Sequence, residues 1–229
     1  MAHNHKNRGL MMNLKKQLFI AFLLSFVSLL SFSFMAALVN KHKLIHFDQN
    51  IIQYVQGFES PKLTAMMKLF SLIGGTMAVM VISLLAIFIL YIAFKHRSEL
   101  VLFIAVMVGA NFLFLSLKQV FHRARPDLHR LAEASNYSFP SGHATMAFAL
   151  YGALTFLLWR HISSQIGRVL LIILSAFMIL TIGISRIYLG VHYPSDIMGG
   201  YFISAFWLTF AIGFYQRYKE RQYKRKLAS

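Results

Sequence analysis

The sequence predicts an all-α fold: a bundle of six membrane-spanning helices, with an interfacial helical segment between the first and second spans. Three observations carry that prediction. Hydrophobic residues make up 58% of the 229-residue chain and charged ones 13%, a balance far from that of a soluble domain. The apolar residues gather in long runs and not in one-sided stripes. Six runs approach the roughly 20 residues that a helix needs to cross the hydrocarbon core of a bilayer.

Taken in order, residues 1–16 form a basic arm carrying Lys6, Arg8, Lys15 and Lys16. His3 and His5 lie in it with no further ligand-type residues beside them, so a disordered arm is a better reading than a metal site. The first span, about 17–39, follows two lysines as a signal peptide would. Its apolar run is too long for one and no small-residue cleavage site follows, so it is expected to stay in the membrane. Connection 40–73 is helix-like and half apolar around Ile51–Val55 and Leu63–Met67. That pattern fits a helix lying in the lipid interface better than a lid over a site. Spans at about 74–94, 99–117, 143–159, 166–184 and 197–216 complete one domain over 17–216, followed by a basic tail at 217–229. The 22 phenylalanines and 12 methionines suit lipid-facing and gap-filling positions better than a cofactor pocket.

Charge orients the bundle. The net charge is +16, and Arg217, Lys219, Arg221, Lys224, Arg225 and Lys226 crowd the tail directly after an apolar run. Basic clusters beside a span mark topology and contact anionic lipid head groups, and no nucleic-acid-binding motif is present. Nucleic acid is therefore not an expected partner; membrane lipids are. The arm, the tail and the turns with Lys95, Arg97, Arg160 and Arg168 hold most of the 23 Lys and Arg. The positive-inside rule then puts both termini in the cytoplasm and connections 40–73, 118–142 and 185–196 on the outer face. With no cysteine in the chain, disulfides, thiolate chemistry and Cys-based zinc sites are excluded.

The outer connections hold an unusual set of polar residues. Lys118, Arg125-Pro126 and Ser138-Phe139-Pro140-Ser141-Gly142-His143 lie in or beside one; Ser185-Arg186 and His192 through Asp196 frame another. Lys118, Arg125 and Arg186 are three positive charges, and an arginine fork matches two phosphate oxygens. Ser141 and Gly142 stand at a helix start, where free backbone N–H groups favour anions and a missing Cβ allows close approach. His192 and Asp196 are four residues apart around a helix start, with Pro194 suited to its first turn. The carboxylate can hold one imidazole nitrogen and leave the other bare to attack phosphorus. His143 comes from a different helix and can protonate the departing oxygen. Taken singly, each residue has a plainer role, as an interfacial anchor, a loop histidine or a helix-dipole partner; six together in two connections do not. His122 and His129 lie between these blocks and read as solvated loop residues.

These blocks resemble the type 2 phosphatidic acid phosphatase family, which shares its site with glucose-6-phosphatase and the vanadium haloperoxidases. The resemblance covers roughly residues 45–216, with no departure at a signature position. It implies a membrane phosphatase needing neither metal nor other cofactor. It also implies Lys118, Arg125, Ser141, Gly142 and Arg186 on the phosphate, His192 as nucleophile, Asp196 as its partner and His143 as acid. Within the family the bacterial phosphatidylglycerophosphatase B group is most similar. That implies a bacterial cell membrane and a phosphorylated lipid substrate: phosphatidylglycerophosphate, phosphatidic acid or undecaprenyl diphosphate. Transfer of phosphate to an acceptor other than water, and binding or transport of a phosphate lipid without chemistry, stay open at this point.

Overall fold

Among the described residues every regular element is a helix. The structure is a computed structural model that describes residues 2–94, 97–127 and 129–228, with side chains for 15–92, 97–127 and 129–225. Lys95 and the side chains of His3, His5, Lys6, Arg8 and Lys226 therefore lie outside the described residues. The helices are α1 (Ala2–Asn40), α2 (Ile45–Gln56), α3 (Pro61–Ile73), α4 (Thr76–Phe94), α5 (Arg97–Phe121), α6 (Gly142–Trp159), α7 (Gln165–Tyr188) and α8 (Pro194–Ala228). Local chemistry sets several ends. Ser60 accepts from the Leu63 N–H at 3.4 Å ahead of Pro61, Ser141 from Ala144 at 3.4 Å, and Ser164 from Gly167 at 3.3 Å. Pro194 opens α8, where its missing N–H costs nothing.

Five helices are long and apolar enough to cross a membrane, within α1, α5, α6, α7 and α8. The pair α3–α4, bent by 52° at the Gly74-Gly75 break, passes the same test only when taken together and is the candidate for a sixth crossing. The protein is thus a multi-pass membrane bundle. Three boundaries differ from expectation. α1 runs back to Ala2 and α8 on to Ala228, so the arm and tail continue their spans as helix. Connection 40–73 is two helices, and both reach the polar end of the bundle, as described below.

α1 and α8 pack antiparallel. Phe22 meets Phe210 and Phe214 edge-on at 6.3 and 5.8 Å, and Ser25 Oγ donates to the Phe206 carbonyl at 3.2 Å. Both chain ends therefore lie at one end of the bundle. The C-terminal ends of α5 and α7 and the N-terminal ends of α6 and α8 converge at the other. An aromatic floor supports that end: Phe139 is fully buried, stacked on Phe32 at 5.8 Å and edge-on to Phe121 at 5.0 Å. A second core of Phe103, Val106, Leu150, Leu157 and Leu208 fills the middle between α5, α6 and α8.

Candidate active site

His192 lies in the short turn between α7 and α8, and the turn exists because of Gly190. Its φ of +70° is a left-handed conformation, and a Cβ there would collide with the His129 carbonyl. The turn delivers His192, 2% exposed, beside Asp196, which is fully buried in the first turn of α8. His192 Nδ1 lies 3.3 Å from Asp196 Oδ2, and Arg125 donates to His192 Nε2 at 3.1 Å. Nε2 must then be the acceptor, so the proton sits on Nδ1 and faces the carboxylate. Burial pushes the His192 pKa down from 6.5 to about 4, only partly opposed by the hydrogen bond and charge of Asp196. At neutral pH the ring is an uncharged imidazole with its Nε2 lone pair turned to Arg125.

Asp196 is held from every side. Its Oδ2 accepts the Tyr193 N–H at 2.9 Å and the Ser138 hydroxyl; its Oδ1 accepts from Arg123 at 2.7 Å. Arg123 donates with its other nitrogen to Asp48 of α2 at 2.8 Å. Asp48, fully buried, also accepts the Ser195 N–H at 2.9 Å and the Ser195 hydroxyl at 2.6 Å. One arginine thus ties two buried carboxylates together, and α2 is fastened to the start of α8. α3 is fastened similarly, through Ser71, which accepts from Arg186. The interfacial segment is thereby part of the scaffold of the site.

The other cations are placed differently. Lys118 donates to the Tyr137 carbonyl. Arg125 donates to the carbonyls of Asn136, Ser135 and Val191 at 2.9, 2.7 and 2.7 Å. Among the described residues neither they nor Arg186 pair with a carboxylate, and Arg186 Nε is buried with no acceptor at all. Lys118, Arg125, Gly142, His143, Arg186 and His192 line one cavity of about 750 Å³, which continues between α4 and α5 past Val79, Met80, Met107 and Leu115. Three cations with no counter-ion, facing one cavity, form a site for a multiply charged anion. Its extension is lined mainly by apolar side chains.

Seven of the eight residues expected from the sequence meet here as a group, six on the cavity and Asp196 behind His192. Ser141 is fully buried as the N-cap of α6 and does not line the cavity. At Gly142 a Cβ would press on the Phe114 ring at 3.0 Å, so the close approach there is to that ring. His122 is exposed; His129 is exposed too but pairs with Glu59 at 3.1 Å, joining the loop to the α2–α3 turn. Sequence reasoning missed Asp48, Ser71, Arg123, Ser138 and Ser195. Asp48 carried one signal, an acidic residue in a half-apolar helix.

The family model of the PAP2 superfamily matches residues 99–220. The chain is similar to phosphatidylglycerophosphatase B of Bacillus subtilis, 34% identical over 110 residues, which are 47% of this chain and 54% of that protein. It is also similar to the undecaprenyl-diphosphatase of Sulfolobus acidocaldarius, 30% identical over 113 residues, 47% of this chain and 48% of that protein. The match thus spans about half the length of these relatives. A solved transmembrane PAP2-type phosphatidylglycerolphosphate phosphatase from Bacillus subtilis superposes with a TM-score of 0.74 at 25% identity, over 83% of this chain and 94% of that one.

Proposed function

The chain belongs to the PAP2 superfamily, and we propose that it is a lipid phosphatase working through a phosphohistidine. The substrate is a phosphomonoester or diphosphate on a lipid of the outer leaflet. The observation that carries this reading is the His192 ring, its Nδ1 turned to Asp196 and its Nε2 to Arg125 at the head of a cationic cavity. A protein that only binds or transports phosphate needs the cations but has no use for such a pair.

In the proposed reaction Lys118, Arg125 and Arg186 take the phosphate oxygens, and Arg125 turns from Nε2 to the incoming anion. The Gly142 backbone completes the cradle, and Ser141, buried as the N-cap of α6, holds that helix start in place. Nε2 attacks, a P–N bond forms and the P–O bond to the lipid breaks. The departing oxygen takes a proton from His143. Asp196 steadies the positive charge that grows on the ring. Water then attacks phosphorus, gives its proton to His143, and the P–N bond breaks to release phosphate. Three cations meet the charge of the five-coordinate phosphorus, so the reaction is proposed to run without a metal. The basic ends, including Arg217, Lys219 and Arg221, favour a cytoplasmic side for both termini, which supports a site at the outer face.

The test is phosphate release in detergent with excess EDTA, from phosphatidylglycerophosphate, phosphatidic acid, undecaprenyl diphosphate and a soluble sugar phosphate. Release from at least one lipid is expected. Loss of activity in EDTA, restored by a divalent ion, rules out the metal-free reaction. Preference for the sugar phosphate rules out the lipid reading.

A further inference from the structure

Two polar side chains lie in the part of the cavity that the reaction does not use. Ser83 of α4 and Asn111 of α5 both line it. Ser83 Oγ is buried without a hydrogen-bond partner. Ser31 and Ser33, by contrast, each donate to the carbonyl four residues back, at 2.9 Å; Ser204 Oγ of α8 is unpaired too, but it does not line this cavity. The Asn111 amide likewise makes no hydrogen bond among the described residues. A free hydroxyl and a free amide at hydrocarbon depth are costly, and such residues mark ligand contacts.

Their depth is informative. Asn111 precedes Lys118 by seven residues on α5, and Ser83 follows Thr76, at the outer start of α4, by seven. Seven residues are two turns, roughly 10 Å, and return to nearly the same face of a helix. Along their helices Asn111 therefore stands about two turns from Lys118 and Ser83 about two turns from the start of α4, and both face one cavity. A glycerophospholipid held by its phosphate carries its ester carbonyls one glycerol unit deeper. Those carbonyls are acceptors, and Ser83 and Asn111 supply donors. A polyprenyl diphosphate has no polar atom below its diphosphate and would leave both donors unmet.

We propose that Ser83 and Asn111 form a subsite for the ester carbonyls of a diacylglycerol-based phosphate, so that the substrate class is glycerophospholipid and not polyprenyl diphosphate. The proposal rests on the lipid phosphatase reading and names the substrate of that site.

The experiment measures kcat/KM of the full chain in detergent on three probes. They are a diacyl phosphatidic acid, its dialkyl ether analogue with the same chains and no carbonyls, and a polyprenyl diphosphate. The diester is expected to exceed the diether about tenfold, the loss of roughly one hydrogen bond. In Ser83→Ala with Asn111→Leu the diester-to-diether ratio is expected to fall to about one, whereas Ser83→Thr, which keeps the hydroxyl, keeps the ratio. Equal wild-type rates on diester and diether, or an unchanged ratio in the double variant, overturn the subsite while leaving the phosphatase intact. So does a preference for the polyprenyl diphosphate. Release from no probe removes the phosphatase reading and this one with it. The wild-type comparison decides the matter even if the double variant does not fold.

Discussion

Both ends of the bundle bury carboxylates, and they spend them differently. At the end with the chain termini, Glu99 is 3% exposed and faces Arg160 at 3.4 Å, His161 at 3.3 Å and the Tyr215 hydroxyl at 3.5 Å. One acid is surrounded by several partners, and charge is balanced within the cluster. At the other end Asp48 and Asp196 are consumed by Arg123, serine hydroxyls and His192. Lys118, Arg125 and Arg186 are left facing a cavity. The first arrangement clamps α5, α6 and α8 together; the second holds one imidazole still and keeps a positive field open beside it.

That contrast can be broken most severely at Asp196. Asp196→Asn should keep the shape but remove the acceptor that fixes the His192 tautomer, lowering kcat by about 10³–10⁴-fold, as for other triad carboxylates. An unchanged rate would reduce Asp196 to a helix cap. Next comes Arg123→Ala, which strands two buried carboxylates. Breaking a buried pair costs about 3–5 kcal/mol, so thermal unfolding in detergent should shift well downwards and activity should fall with it. Adding Asp48→Asn should recover part of both, because only one stranded charge then remains.

Acidity separates the two ends further. His192 stays neutral until the pH nears 4 and not 6.5, because burial outweighs Asp196. The acid limb of kcat/KM, corrected for ionisation of the substrate, should therefore fall near pH 4, and a limb near 6.5 would contradict the buried neutral imidazole. The same shift works on stability: the unfolded chain takes up this proton near 6.5 and the folded one only near 4. Stability present above pH 6.5 is thus lost progressively down to about 4. The smallest effect on activity is expected from Glu99→Gln, which should leave kcat within about twofold while lowering thermal stability, since distant sites act independently. A large loss of kcat would show that the two ends are coupled.

How much of this was legible in the sequence differs by residue. Long apolar runs declare spans because a bilayer admits little else, so five crossings were readable from length alone. The span expected at about 74–94 is found as α4, but its bend against α3 at Gly74-Gly75 was not readable, since it brings Gly74 against Ile182 of α7. Lys118, Arg125, His143, Arg186, His192 and Asp196 were readable because their chemistry is concentrated in short blocks. Asp48 and Ser71 were not, because each comes from a helix whose own pattern describes only a half-apolar surface. Arg123 stands two residues from Arg125 yet turns to the carboxylates while Arg125 turns to the ring, a division that spacing does not encode. Ser83 and Asn111 are single polar residues in apolar runs, and only the shared cavity makes them a pair.

In the proposed reaction His192 becomes phosphorylated. Rapid acid-free quenching of the full chain with lipid labelled in its terminal phosphate tests it directly, followed by mapping of the labelled peptide. A transient, alkali-stable and acid-labile phosphoramidate is expected on His192 and is expected to be absent from His192→Ala. Turnover with no covalent label on His192, or near wild-type rates in His192→Ala, would contradict it.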